Sequence, residues 1–395
     1  MKECILNAVV AAPDKLLPDH AVVIQGDRIL SVIPMSSLGP ERGMRCYDAC
    51  GGYVLPGFID IHSDYIEGIL QPRPTALMDF ETGLREAEKH LLGHGVSTIY
   101  HSLSIMNVAG STGRRGGFRT KENFGRLAHL IQHFHRHLIR HRLHVRYDIY
   151  AGDLYSYVKG ILEEGKVHEL SFMDHTPGQG QYRDIATYAR STAGWDVEGN
   201  PSLEEKLALL QTRTLVSRKK LKVLAELATK QGAALASHDD DSPEKVLFMK
   251  NEYGMRISEF PVDLASAKTA RAEGLMVVLG APNVLLGGSH SGNLSALEAI
   301  REGCADILCS DYYPASLLHA AFVLEEKGIV PLAQAVRMLT LNPARAVGIA
   351  ADYGSVEEGK KADLLIVRKL RSRPLIQRCF IDGQSVLRYH YSGVT

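Results

Sequence analysis

Short apolar runs separated by polar breaks divide the chain into two kinds of pattern. Near the start, Cys4 to Val10 reads as a strand, and Ala21 to Ile24 and Arg28 to Ile33 flank Gly26-Asp27. Near the end come Ala362 to Val367, then Leu375 to Ile381 and Ser385 to Leu387 on either side of Asp382-Gly383. Paired apolar runs around a Gly/Asp turn predict hairpins. Both ends being strand-rich predicts one small β-sandwich domain built from both termini, residues 1–55 and 352–395.

The middle, residues 56–351, alternates differently. Eight apolar runs recur there, each closing on polar residues: GFIDIHSD, VSTIYHS, LHVRYDIY, HELSFMDH, AALASHDD, RISEFPVD, LMVVLGAPN and ADILCSDYY. Stretches with helical period lie between most of them; from Leu203 to Gly232, Leu207, Leu210, Leu221, Leu224 and Leu227 supply an apolar face. Short, continuously apolar strands are those of a parallel sheet covered on both faces. Eight of them interleaved with helices predict an α/β fold, a (β/α)₈ TIM-like barrel, which needs about 250 residues. An open doubly wound sheet is the alternative, but no GxGxxG follows the first strand to support a dinucleotide site.

Composition narrows the function. The 395 residues carry 45 Lys+Arg against 45 Asp+Glu, so no net field attracts a polyanion, and nucleic acid is not expected as a partner. The six cysteines form no CxxC pair and read as reduced thiols in a cytoplasmic protein. No run approaches the ~20 apolar residues of a membrane span, and the N-terminus lacks a signal-peptide layout.

Catalytic groups of a barrel sit at the carboxyl ends of its strands. Metal-ligand types stand at or near almost every run's end: His62 and Asp64, His101, Asp148, Asp174 and His175, His238 with Asp239, Glu259, and Asp311. One such residue means little, because strand ends commonly carry helix caps; the repetition is what points to a site. The alternate spacing of His62 and Asp64 puts both on one face of a strand. Mixed imidazole and carboxylate donors suit Zn²⁺, Mn²⁺ or Fe²⁺. Cys309, two residues before Asp311, reads as a small core filler. His129, His133, His137 and His141 recur every four residues among arginines and read as the solvated basic face of a helix. The run Gly287 to Asn293 offers free backbone N–H groups that suit an anion.

Val54-Leu55-Pro56-Gly57-Phe58-Ile59-Asp60-Ile61-His62, Thr340 to Arg345 and Gly354 to Leu364 together resemble the amidohydrolase superfamily. Within it, Gln71 to Pro74, His141 to Arg146, Ser171 to Gln179, Ala236 to Asp240, Ser258 to Pro261, Gly280 to Asn283, Gly287 to Asn293 and Ser310 to Leu318 resemble the phosphonate-metabolism (PhnM) branch. The branch usually has Asn where Tyr65 stands, and Glu at Asp148. The resemblance implies a metal-dependent hydrolase that converts α-D-ribose 1-methylphosphonate 5-triphosphate to the 5-phosphate and pyrophosphate. The alternative within the fold is hydrolysis of a cyclic amide, lactone or amine. It further implies one or two divalent ions, zinc first and Mn or Fe next. His62 and Asp64 hold the more buried ion, Asp174 or His175 supplies strand four, and His238 and Glu259 follow from strands five and six. Asp311 is a ligand and the general base. The departing pyrophosphate of a phosphorylated small molecule carries several negative charges and needs cations: Arg73, Arg114, Arg115 and Arg183 are candidate clamps, of which one or two are expected to serve, alongside Ser289, His290 and Asn293. The resemblance also implies that the subunits pair as a homodimer.

Overall fold

The computed structural model describes residues 2–39, 43–73, 75–105, 118–133, 137–174, 215–289 and 292–391. The strand-rich ends form one hydrogen-bonded sheet from β1 (Lys2–Ala11), β2 (Leu16–Gln25), β3 (Arg28–Pro34), β4 (Arg45–Asp48), β5 (Tyr53–Pro56), β14 (Leu364–Leu370), β15 (Arg373–Ile381) and β16 (Gln384–Arg388). Its order is β16-β15-β14-β5-β1-β2-β3, with β4 also paired to β1. β14 therefore lies between two strands and joins the C-terminal strands to the N-terminal ones. The predicted hairpins are present: Gln25 pairs with Arg28 across Gly26-Asp27, and Ile381 with Gln384 across Asp382-Gly383.

Strand alternation sets which core each side chain enters. In β14, Leu364 and Ile366 pack with Ile5, Val22, Val54 and Phe380 inside the terminal sheet's own core. Leu365 and Val367 turn to the other face and join the large cluster around the barrel. The two bodies thus share a continuous apolar contact.

All eight central runs are strands: β6 (Phe58–Ser63), β7 (Val96–Ile105), β8 (Arg140–Asp148), β9 (Glu169–Met173), β10 (Ala234–His238), β11 (Ile257–Glu259), β12 (Met276–Gly280) and β13 (Ile307–Cys309). They pair in parallel in sequence order from β6 to β13. A parallel bridge between Ser63 and Asp311 brings the last strand back to the first. Asp311 N–H donates to the His62 carbonyl at 3.1 Å, and Asp64 N–H to the Asp311 carbonyl at 3.0 Å. Ile59, Ile61, Tyr100, Ala236, Ile257, Val278, Ile307 and Cys309 fill the barrel's interior, while Ile99, Leu103, Leu143, Val145, Val277 and Leu279 face the helices. Cys309 is the buried core filler its setting predicts, and none of the six cysteines forms a disulfide.

Helices start where the sequence supplies caps. Asp79, Ser217, Ser242 and Asp263 each accept the amide N–H three residues on, opening helices Phe80–Gly93, Arg218–Lys230, Pro243–Tyr253 and Leu264–Ala272. Leu221 and Leu224 are buried and Leu227 half-buried, as the helical period predicts, whereas Leu207 and Leu210 lie outside the described residues. No helix among the described residues is long and apolar enough to cross a membrane.

Gly57 joins the two bodies. Its N–H donates to the Asp363 carbonyl at 2.8 Å, and a Cβ there would meet Ser97 Oγ at 2.5 Å and Ser97 Cβ at 2.6 Å. Gly57→Ala is therefore expected to lower the unfolding free energy by about 1–3 kcal/mol through overpacking. Ser97→Gly in the same chain should restore part of the loss. Urea midpoints check this, and an unchanged midpoint in the single variant would refute it.

Candidate active site

The carboxyl ends of the barrel strands surround one cleft lined by His62, Arg146, His238, Asp239, Phe260, Asn283, Ser289, Asn293 and Asp311, among others. At its floor His62 Nδ1 stands 2.6 Å from Glu259 Oε1, and both side chains are buried. His144, from β8, brings Nε2 to 3.9 Å from Glu259 Oε2. One donor atom each from His62, His144 and Glu259 lies within 4.8 Å of the others, the spacing a single metal ion needs.

Burial makes these groups ready ligands. It pushes the His144 imidazole down to about 3 and, helped by the charge of Arg146, holds His62 well below its ordinary value, so both are neutral at pH 7. His144 Nδ1 lies 3.3 Å from the Ile61 carbonyl and 3.0 Å from Ser102 Oγ. Donating to the carbonyl keeps the proton on Nδ1 and the lone pair on Nε2, which accepts from Ser171 Oγ at 2.8 Å and lies on the Glu259 side. Glu259 Oε2 is buried and has no hydrogen-bond partner among the described residues. A buried carboxylate oxygen left this way costs free energy unless a cation meets it. The donor set fits a divalent metal ion.

Above this floor Arg146 Nη2 donates to His238 Nε2 at 3.2 Å. A guanidinium has only donors, so Nε2 carries the lone pair and Nδ1 the proton. That Nδ1 stands 2.9 Å from Asp239 Oδ2, an electrostatic contact without hydrogen-bond geometry, so the bond from Arg146 is what directs the ring. Asp311 is buried, and burial together with the nearby charge of Asp64 pushes its carboxyl up to about 7. Asp60, two residues before His62 on β6, is pushed up to about 6 by burial, although it accepts the Ser310 N–H at 3.1 Å. Burial and the charge of Glu259 also hold Glu169, inside β9, well above the usual carboxylate range.

Three residues just past strands have left-handed backbone: Asp239 after β10 (φ 54°), Phe260 after β11 (φ 52°) and Asp311 after β13 (φ 56°). For a bulky residue such as Phe260 this is strained, and strain of this kind persists where the surroundings over-determine it. It turns the chain sharply so that strand-end side chains converge on the cleft.

Several positions differ from the sequence expectation. β6 ends at Ser63, so Asp64 stands past the strand at the start of helix Tyr65–Leu70, 3.7 Å from Arg119, and strand alternation no longer pairs it with His62. Arg119 also makes paired bonds to buried Glu67 at 3.0 and 3.1 Å. His101 is no strand end, because β7 runs on to Ile105, and its side chain faces the helices. The four-residue histidine stripe is not one solvated helical face: helix Lys121–His133 holds only His129 and His133, while His141 sits buried in β8. Strand β12 stops at Gly280 and Ala281-Pro282-Asn283 opens a helix instead. Arg73 is exposed in a short bridge to Ala76 and does not line the cleft. Asp174 directly follows β9 and is half-buried. His175, Arg114, Arg115, Arg183 and His290 lie outside the described residues.

His144, Arg146 and Asp60 are absent from the sequence-derived set. The period-two pattern could have found the first two: counting back from Asp148, Arg146 and His144 share its face of β8.

The Amidohydrolase family profile matches residues 210–386. The chain is 31% identical to the α-D-ribose 1-methylphosphonate 5-triphosphate diphosphatase of Escherichia coli (strain K12) over 391 residues, covering 97% of this chain and all of that protein. It is 34% identical to the N-substituted formamide deformylase of Arthrobacter pascens over 106 residues, 22% of this chain and 19% of that one. Among solved structures, molinate hydrolase superposes with a TM-score of 0.65 at 13% identity, covering 100% of this chain and 99% of that chain. The N-acetylglucosamine-6-phosphate deacetylase of Pasteurella multocida superposes with a TM-score of 0.60 at 12% identity, covering 98% and 99%. These two likenesses are of fold alone. The sequence match over the whole length of the diphosphatase carries the assignment: the chain belongs to the amidohydrolase family and is a metal-dependent hydrolase.

Proposed function

We propose that this enzyme hydrolyses α-D-ribose 1-methylphosphonate 5-triphosphate to the 5-phosphate and pyrophosphate. The observation that supports this reading is the likeness, along the full length of both chains, to the diphosphatase that carries that name. His62, His144 and Glu259 would hold a divalent metal, with Asp64 and Asp311 as further candidate ligands and Asp174 or His175 for a second ion, and the metal would supply Lewis acidity and lower the pKa of a water. In the hydrolysis a water oxygen bonds to the α-phosphorus of the substrate, and the bond from this phosphorus to the bridging oxygen of the departing pyrophosphate breaks.

The side chains have distinct tasks. Asp311 takes the proton of the attacking water; a carboxyl with its affinity raised toward neutrality is suited to accept one at pH 7. Arg146 offers a fixed guanidinium to the charge that builds on the phosphoryl oxygens, and His238 beside it offers a directed ring. Asn283, Ser289 and Asn293 line the same cleft and supply neutral hydrogen bonds. His290 and Arg183 are the proposed further contacts to the triphosphate.

Arg146→Met keeps length and removes charge. It is expected to raise KM for the triphosphate about 10–100-fold, the loss of one charge-assisted hydrogen bond; an unchanged KM would remove Arg146 from substrate binding. The function itself is tested with metal-reconstituted protein, ribose 1-methylphosphonate 5-triphosphate and a panel of nucleoside triphosphates. Pyrophosphate released selectively from the ribose phosphonate is the expected result. Metal-loaded protein that is silent on every triphosphate but opens a cyclic amide, lactone or amine would replace this reading.

A further inference from the structure

A second group of metal-ligand side chains lies outside the barrel interior, between helix Phe80–Gly93 and the outer face of β7 and β8. His101 shares the alternation of Ile99 and Leu103, and His141 that of Leu143 and Val145, all of which pack toward the helices. The strand layer therefore separates them from His62, His144 and Glu259. Glu88 reaches them from the helix and is buried.

The group is closely organised. His137 Nδ1 stands 2.6 Å from Glu88 Oε1, and His141 Nε2 stands 3.0 Å from the same oxygen. One donor atom from each of Glu88, His137 and His141 lies within 4.8 Å of the others. The Leu138 N–H also points to Oε1, at 3.3 Å. Three donors thus crowd one carboxylate oxygen, while Glu88 Oε2, equally charged and buried, has no partner among the described residues. An uneven load of this kind on a buried carboxylate is poor as a hydrogen-bond network alone. It is what a carboxylate ligand would show with its cation removed.

His101 supplies the second observation. Its Nε2 lies 2.7 Å from His141 Nδ1, with the two rings nearly coplanar and edge to edge, at an interplanar angle of 8°. If His141 Nε2 gives its lone pair to a metal, Nδ1 carries the proton and donates it to His101 Nε2. That is the outer hydrogen bond that fixes tautomer and ring direction at metal-binding histidines. Glu88 and His141 are buried, whereas the His137 side chain is partly open to solvent, which leaves room for water as a fourth ligand.

We propose that Glu88, His137 and His141 form a divalent transition-metal site of the zinc class on the outer wall of the barrel, with His101 orienting His141. The site would tie helix Phe80–Gly93 and the chain entering β8 to the barrel wall. It would play no direct part in the hydrolysis.

Zinc-edge anomalous diffraction from zinc-loaded wild-type crystals locates the ion directly. An anomalous peak bounded by Glu88, His137 and His141 is expected. Zinc found only in the barrel cleft, or only at the exposed pair His129 and His133, overturns the proposal. In solution, His137→Asn, at a partly exposed position, should bind one equivalent less zinc than wild type by elemental analysis and keep its hydrolytic rate. A full zinc complement in that variant also overturns the site.

Discussion

Asp311→Asn is expected to reduce kcat by about 10²–10⁴-fold, the range that a positioned general base contributes. The fold should survive the change. Position 311 has φ 56°, and asparagine tolerates this left-handed conformation almost as well as aspartate. The backbone bonds that hold residue 311 to His62 and Asp64 do not involve the side chain. The amide keeps the shape of the carboxylate but cannot take a proton from water. A second signature follows from protonation: the wild-type kcat/KM should fall as the pH drops and the carboxyl becomes occupied, and this acid limb should vanish in the variant. Circular dichroism, metal content and a pH–rate profile check these together. A variant that turns over at the wild-type rate would remove Asp311 as the base.

Glu259→Gln should cost the enzyme its metal. Glu259 faces His62 with one oxygen and His144 with the other, so it is the anionic member of the donor set. The amide is isosteric and lacks the charge, leaving two neutral imidazoles to hold a dication. Affinity is expected to fall about 100-fold or more, since even an outer partner costs up to that much. Activity in metal-limited buffer should fall in parallel and recover in part with excess metal. Titration with a competing chelator measures the affinity. Retention of the wild-type affinity would show that the ion binds elsewhere in the cleft.

The architecture was legible because parallel strands covered on both faces must be apolar throughout, and eight such runs interleaved with helices match the count of a closed barrel. Residues at strand ends were legible for the same reason: where apolar character stops, His62, His238, Glu259 and Asp311 stand out. Residues deeper in a strand do not. His144 sits in the body of β8, and a rule that looks only at ends passes over it. Asp60 hides in the same way inside β6. The histidines at 137 and 141 mislead differently, because a spacing of four fits a helical stripe, yet the chain changes from helix to strand between 133 and 140. Periodicity carries no meaning across such a boundary. Asp64 illustrates the converse, since alternation holds only as far as the strand does, and β6 stops one residue short of it.

The seam that closes the barrel has a consequence for how the protein acquires activity. Ser63 and Asp311 meet across it although 248 positions separate them, and the cleft is assembled from both sides of that meeting. Contacts this remote in the chain form late, because the intervening loop must be ordered before they are rewarded. A nascent chain that has not yet supplied β13 can hold His62, His144 and Glu259 but has no Asp311 beside them. Catalytic competence should therefore appear only at the final folding event, and turnover would report completion of the barrel more strictly than secondary-structure content does.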